Sequence, residues 1–175
     1  MRIIKFLLII ILITLVLGSC LKIQQLPEIP RIEFTSFEVF DTTDILGNDC
    51  KGGRLNFYFE DGDGNLGLPS PESGQTDTTN LFLTLFRKTG DVMIQVPDSG
   101  DLMKPSNYRI PYMERTGQNK ILKGTIAVTF VYTFYEPADS DIFRYDFYIT
   151  DRAKNLSNTE STSEFALSVN DVYYK

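Results

Sequence analysis

From residue 31 onward apolar side chains recur at every second position, and no window carries the 3.6-residue period of an amphipathic helix. Leu55, Phe57 and Phe59 alternate with Asn56, Tyr58 and Glu60. Ile126, Val128, Phe130, Tyr132 and Phe134 alternate with Thr125, Ala127, Thr129, Val131 and Thr133 in the longest such run. Phe143, Tyr145, Phe147 and Ile149 repeat the pattern opposite Arg144, Asp146, Tyr148 and Thr150. Successive strand side chains point to opposite faces, so this period makes sheets with one apolar face each. In Leu81–Phe86 both phases are apolar except at Thr84, which predicts a central strand. Lys88–Asp91 reads as a turn, with Val92, Ile94 and Val96 as the return strand of a hairpin. The apolar phase slips across Thr35-Ser36, between Ile32/Phe34 and Phe37/Val39, as a β-bulge requires. Phe165, Leu167 and Val169 close a set of about seven strands. With no helix to carry parallel crossovers, the expectation is all-β, a single antiparallel β-sandwich. Ile110 and Tyr112, within Met103–Met113, belong either to a short eighth strand or to an irregular crossover.

The start of the chain is different in kind. Arg2 and Lys5 precede a run from Phe6 to Leu17 that is apolar apart from Thr14, and Leu17-Gly18-Ser19-Cys20 follows. A charged start, a short apolar run and small residues make a secretory signal, too short for a membrane span of about 20 apolar residues. The Leu-Gly-Ser-Cys ending resembles the bacterial lipobox. That resemblance implies diacylglyceryl attachment at Cys20 and cleavage just before it. The expected organisation is a lipoprotein signal peptide at 1–19, a lipidated Cys20 and tether at 20–30, and one sandwich domain at 31–175. Pro27 and Pro30 deny the tether a helical or strand period. Two or more acyl chains suffice for stable anchoring, so no other part of the chain needs the bilayer. No run of acids follows Cys20; such a run resembles the surface-export signal of some Bacteroidota-type lipoproteins, so its absence implies the periplasmic side of an outer membrane.

The strand order, with a hairpin in its middle, resembles immunoglobulin-like and fibronectin type III-like modules, without the disulfide and Trp of antibody domains. Tyr145 matches either the tyrosine corner of such folds or a plain core aromatic.

Composition closes off several chemistries. The chain has no His, which removes His-dependent nucleophiles, His metal sites and a His acid or base. A formal charge of −6 and a pI near 4.7 argue against nucleic acid. Lipidation consumes one of the two Cys, leaving Cys50 in a Gly- and Asp-rich loop without an internal partner.

Two loops carry the remaining chemistry. In Asp61-Gly62-Asp63-Gly64-Asn65-Leu66-Gly67, oxygen-bearing side chains stand at alternate positions among glycines, as a hard cation such as Ca²⁺ requires. Asp61, Asp63 and Asn65 match the first three ligand positions of an EF-hand-type loop, Gly67 offers a carbonyl at the seventh, and Glu72 falls at the twelfth. Leu66 replaces the glycine that an EF-hand needs, and Pro69 and Pro71 oppose an exit helix, so the likeness is to looser Asp-x-Asp-x-Asn loops. The competing reading is a Gly-rich turn whose carboxylates cap backbone N–H groups. The second loop, Asp151-Arg152-Ala153-Lys154-Asn155, resembles the Asp-x-Ala-Gly-Asn turn of bacterial Ig-like domains, with Lys154 in place of Gly. There the resemblance implies that Asp151 ties the turn by backbone hydrogen bonds. In a type III-like order both loops leave the same end, which adds Asp151 to the candidate cation ligands.

As a whole the chain resembles small Ig-like lipoproteins of Bacteroidota-type envelopes, through its lipobox, its Asp-Gly-Asp-Gly strand end and its Asp-Arg-Ala-x-Asn turn. The expected function is a lipid-anchored binding module whose acidic loop end faces a protein or glycan partner. A structural subunit of an envelope assembly, using an exposed edge or Tyr132, Tyr135, Tyr148, Tyr173 and Tyr174, is the alternative. Trp, a frequent stacking platform, is absent, which disfavours glycans. Asp61 and Asp63 as a glycosidase pair is the weakest reading, and no enzyme is expected.

Overall fold

The computed structural model describes residues 26–74, 78–97, 101–115, 120–136 and 141–175. Cys20 and the expected signal segment at 1–19 lie outside the described residues. Two antiparallel sheets pack face to face, with no helix among the described residues. The first sheet orders as β5 (Leu122–Tyr132), β2 (Asp49–Asp61), β1 (Arg31–Thr43) and β9 (Asp171–Tyr174). The second orders as β4 (Val92–Gln95), β3 (Leu81–Thr89) and β6 (Ile142–Ile149), with β7 (Glu160–Ser161) and β8 (Phe165–Ala166) both pairing β6. β2 pairs β5 rather than β3, and β3 pairs β6, so the chain crosses between sheets as in an immunoglobulin-like, fibronectin type III-like sandwich.

The alternation read from the sequence is the alternation of burial. Leu55, Phe57 and Phe59 of β2, Leu81, Leu83 and Leu85 of β3, and Phe143, Tyr145, Phe147 and Ile149 of β6 all point inward. The register of β1 against β2 shifts between Phe34 and Ser36, leaving Thr35 as the extra residue. That bulge lets Phe34, Ser36 and Phe37 all be buried. Aromatic rings fill the space between the sheets: Phe37 stacks on Phe165 at 4.2 Å and meets Tyr145 edge-on at 5.7 Å. On the outer face of the second sheet Phe82 stacks on Tyr148 at 5.0 Å, which accounts for the second apolar phase of β3.

Three expectations need correction. The final strand is three short pieces, because Thr162 closes on Tyr145 through both backbone and hydroxyl, and the chain then turns after Leu167 to pair β9 with β1. Val169 is therefore exposed in a turn. Val92 and Ile94 are exposed, since the β3–β4 hairpin overhangs the core and only Val96 packs back onto it. Phe134 lies past the end of β5 and is exposed. Of the two readings of Tyr145, the core aromatic is the one observed: it is buried, its hydroxyl donates to the Met103 carbonyl at 3.0 Å and lies 2.9 Å from the Tyr132 hydroxyl, rather than tying nearby backbone as a tyrosine corner does. Met103–Met113 is the irregular crossover, held by bridges from Tyr108 to Leu81 and from Pro111 to Leu68.

The chain enters β1 at one pole of the sandwich, and β1 runs from there to the β1–β2 turn at the other. Arg31 pairs with Glu60, so the entry pole is also the pole at which β2 ends in Asp61.

Candidate functional site

Asp61 is the last residue of β2 and on its inward phase, which carries its carboxylate into the sandwich at 0% exposure. The loop that follows is pinned from several sides. Leu66 is buried in the core, and its N–H donates to Asp61 Oδ2 at 2.7 Å. Arg152 reaches from the β6 side, where its guanidinium donates to the carbonyls of Leu66 at 3.1 Å and Gly67 at 2.9 Å and stacks over the Tyr112 ring at 4.9 Å. The Arg152 N–H donates to the Asn65 carbonyl at 3.3 Å. Gly64 has φ +65, and a Cβ there would stand 1.9 Å from the Lys120 carbonyl oxygen, so only glycine fits. Gly62 donates its N–H to the Pro27 carbonyl at 3.0 Å, and a Cβ there would meet the Leu26 oxygen at 2.3 Å. Leu26-Pro27 thus docks on the backbone between Asp61 and Asp63.

Within this cage the donors run out before the acceptors do. Asn65 gives Nδ2 to Asp63 Oδ2 at 2.7 Å, which fixes the amide and leaves its Oδ1 on the other side. Asp61 Oδ1, Asp63 Oδ1 and Asn65 Oδ1 are each shielded from solvent and have no hydrogen-bond partner. The other two such atoms among the described residues, Asn80 Nδ2 and Arg109 Nε, are donors outside this loop. Burial, then contact with the Asp63 carboxyl, pushes the Asp61 pKa up to about 6, against the Leu66 N–H. The Asp63 and Asp151 charges add to the rise.

The sequence placed Asp61, Asp63 and Asn65 together, and the fold brings them together. The remaining candidates serve otherwise. The Gly67 carbonyl is taken by Arg152, so it is a poor seventh ligand. Glu72 is solvent-exposed, unlike the three buried oxygens. Asp151 does arrive at this pole, yet its Oδ1 accepts the Asn155 N–H and its Oδ2 the Asn155 Nδ2, both at 2.8 Å. It ties its own turn. Lys154 takes φ 69 there, the left-handed conformation that favours glycine. Among the described residues no three His, Cys, Asp or Glu side chains gather around one point: the loop offers two carboxylates and one amide.

The five tyrosines do not share a face, because Tyr132 is buried against Tyr145 and Tyr148 lies on Phe82. Asp61 and Asp63 are within hydrogen-bonding reach of each other, closer than the 5 Å or so that a glycosidase pair requires. Cys50 is a half-buried thiol whose pKa is raised by burial and by Asp44 and Asp49, the reverse of an activated nucleophile. Sequence reasoning missed Arg152, whose role depends on carbonyls some 85 residues away. It also missed the docking of Leu26-Pro27 on Gly62, for which a bare proline-containing segment gives no signal. In comparisons with protein-family models, curated proteins and solved structures, nothing matches this chain.

Proposed function

We propose that this chain is a lipid-anchored binding module of the bacterial envelope, moored through Cys20, that meets a partner protein with the pole farthest from its tether. The observation that carries the reading is the pairing of a docked tether at one pole with a rigid apolar tip at the other. β1 has 13 residues, so the tip stands about 40 Å from the tether pole. There Asp44 Oδ1 accepts the N–H groups of Leu46 and Asn48 at 2.8 and 2.9 Å, and Oδ2 accepts Asn48 Nδ2 at 2.9 Å. This turn holds Ile45 at 100% and Leu46 at 82% exposure. Burying each such side chain in a partner is worth about 1.5–3 kcal/mol, and a tip ordered beforehand loses little entropy on binding. The tether pole, by contrast, lies within about 20 Å of the lipid, the reach of the six residue steps from Cys20 to Leu26. The acidic loop end then faces the anchor rather than the partner.

Photo-cross-linkers placed in the native host at Ile45 and, separately, at Glu72 test the reading, together with mass spectrometry of Cys20. The expected result is acylated Cys20, and a discrete cross-linked species from position 45 that is absent from position 72 and abolished by Leu46→Asp at unchanged melting temperature. An unmodified Cys20, or equal cross-linking from both positions, overturns it.

A second reading, a subunit of an envelope assembly, draws support from β5. It is an outer strand of 11 residues whose outward row, Lys123, Thr125, Ala127, Thr129 and Val131, carries one charge, at its first position. Such an edge is a template for pairing with another strand. Cross-links joining β5 of two copies would favour it.

A further inference from the structure

We infer that Asp61, Asp63 and Asn65 bind a hard divalent cation, calcium, at the pole of the sandwich where the tether enters. Three buried side-chain oxygens stand unpartnered within five residues, and one of them belongs to a carboxylate at 0% exposure. Each carboxylate has a donor on one oxygen and none on the other, and a buried acceptor left unsatisfied is costly, so the cluster calls for an occupant.

Hydrogen donors are poor candidates for that occupant. A proton shared by Asp61 and Asp63 answers two oxygens and leaves Asn65 Oδ1 unmet. A water molecule brings two hydrogens to three acceptors. The nearby donors go to other acceptors, Leu66 N–H to Asp61 Oδ2, the Arg152 guanidinium to backbone carbonyls, and Arg115 Nη1 to the Asp63 backbone carbonyl at 3.2 Å. The charges acting on Asp61, those of Asp63 and Asp151, share its sign. A cation, unlike a proton or a single water, can take all three oxygens as ligands, and it reverses that repulsion. Calcium fits better than magnesium, because it accepts irregular oxygen sets while magnesium demands a near-ideal octahedron. Three side-chain ligands leave the rest of the shell to water and backbone, which sets the affinity in the weak range of extracellular modules, Kd on the order of 10⁻⁴ to 10⁻³ M.

Gly62 lies between the first two ligands and holds the Pro27 carbonyl, so a cation that orders this loop also fixes the tether's grip on the domain. The loop is otherwise ready for it: Leu66, Gly64 and Arg152 hold its backbone in place from three sides.

The full-length protein, extracted from membranes in mild detergent and stripped with a chelator, is titrated with calcium and separately with magnesium. Calorimetry, thermal melting and hydrogen exchange at the Gly62 amide are followed. Calcium is expected to raise the melting temperature by several degrees and to slow Gly62 exchange, with magnesium weaker. Asp63→Asn should weaken calcium binding at least tenfold, yet melt no lower than the parent in chelator because a like charge is gone. Asn65→Asp should do the opposite, binding calcium more tightly while melting lower in chelator. A protein indifferent to millimolar calcium, or a calcium response unchanged in both variants, overturns the inference. So does a loss of stability in chelator for Asp63→Asn, which would mark the carboxylate as part of a self-sufficient turn.

Discussion

Three turns of this protein share one pattern, and one of them departs from it. Asp44-x-x-Gly47-Asn48, Asp61-x-x-Gly64-Asn65 and Asp151-x-x-Lys154-Asn155 have the same spacing, with a left-handed residue at the fourth position (φ 85, 65 and 69). In the first and third turns the Asn gives its backbone N–H and its Nδ2 to the Asp, and both carboxylate oxygens are satisfied. In the Asp61 turn the Asn side chain goes to Asp63 instead, and three oxygens are left over. The cause is the inserted carboxylate: position 63 is Asp where the other two turns have Leu46 and Ala153. A closed turn is structure alone; the same turn with one more acceptor and no more donors becomes a site. The comparison also separates burial from pattern. Asn48 holds the Asp44 carboxyl below its usual pKa at the solvent-facing tip, while burial and Asp63 drive Asp61 up to about 6.

The sharpest way to break this comparison is at the shared fourth position. Gly64→Ala must place a methyl group against the Lys120 carbonyl and is expected to cost about 3 kcal/mol or more, whereas Gly47→Ala, with nothing within 4 Å, pays only the left-handed strain of about 1 kcal/mol. Equal losses in urea denaturation would show that the Asp61 loop is not caged. Next comes the lead carboxylate. Asp151→Ala strips two charged acceptors from Asn155 in a buried setting and should cost about 2–3 kcal/mol, with a much smaller loss for Asp44→Ala at the exposed tip. Lys154→Gly relieves a non-glycine residue at φ 69 and should stabilise by about 1 kcal/mol, raising the urea midpoint at constant slope.

Smallest is the effect of acid, read in chelator by carboxyl-carbon NMR. Asp44 should titrate below its ordinary 3.8 and Asp61 near 6. The linkage then has opposite signs. A raised Asp61 pKa stabilises the folded state below about 4, and that contribution fades as pH rises through 6. A lowered Asp44 pKa helps above about 4, and its contribution is lost as pH falls through the folded-state value. Midpoints in the reverse order would dissolve the distinction between the two turns.

Most of the sandwich was legible because burial on one face of a strand imposes period two, and the long strands obey it. The bulge at Thr35 was legible for the same reason, since a slipped phase has few other causes. Val92 and Ile94 misled because alternation reports an apolar face without saying whether anything covers it. At the site, Asp61, Asp63 and Asn65 could be read from local spacing alone. Gly67 and Asp151 could not, because their oxygens are claimed by Arg152 and Asn155, and only the fold decides which donor arrives first. The contact between Pro27 and Gly62 was not legible either, because no periodicity encodes it.

The Tyr132 and Tyr145 hydroxyls join β5 of one sheet to β6 of the other, and burial holds both phenols well above their ordinary pKa. In a chain without Trp they act as an internal gauge of the seam. While the layers stay shut, alkali should ionise the surface tyrosines and spare this pair. The last phenolate absorbance to appear would therefore time the parting of the layers, with no label attached.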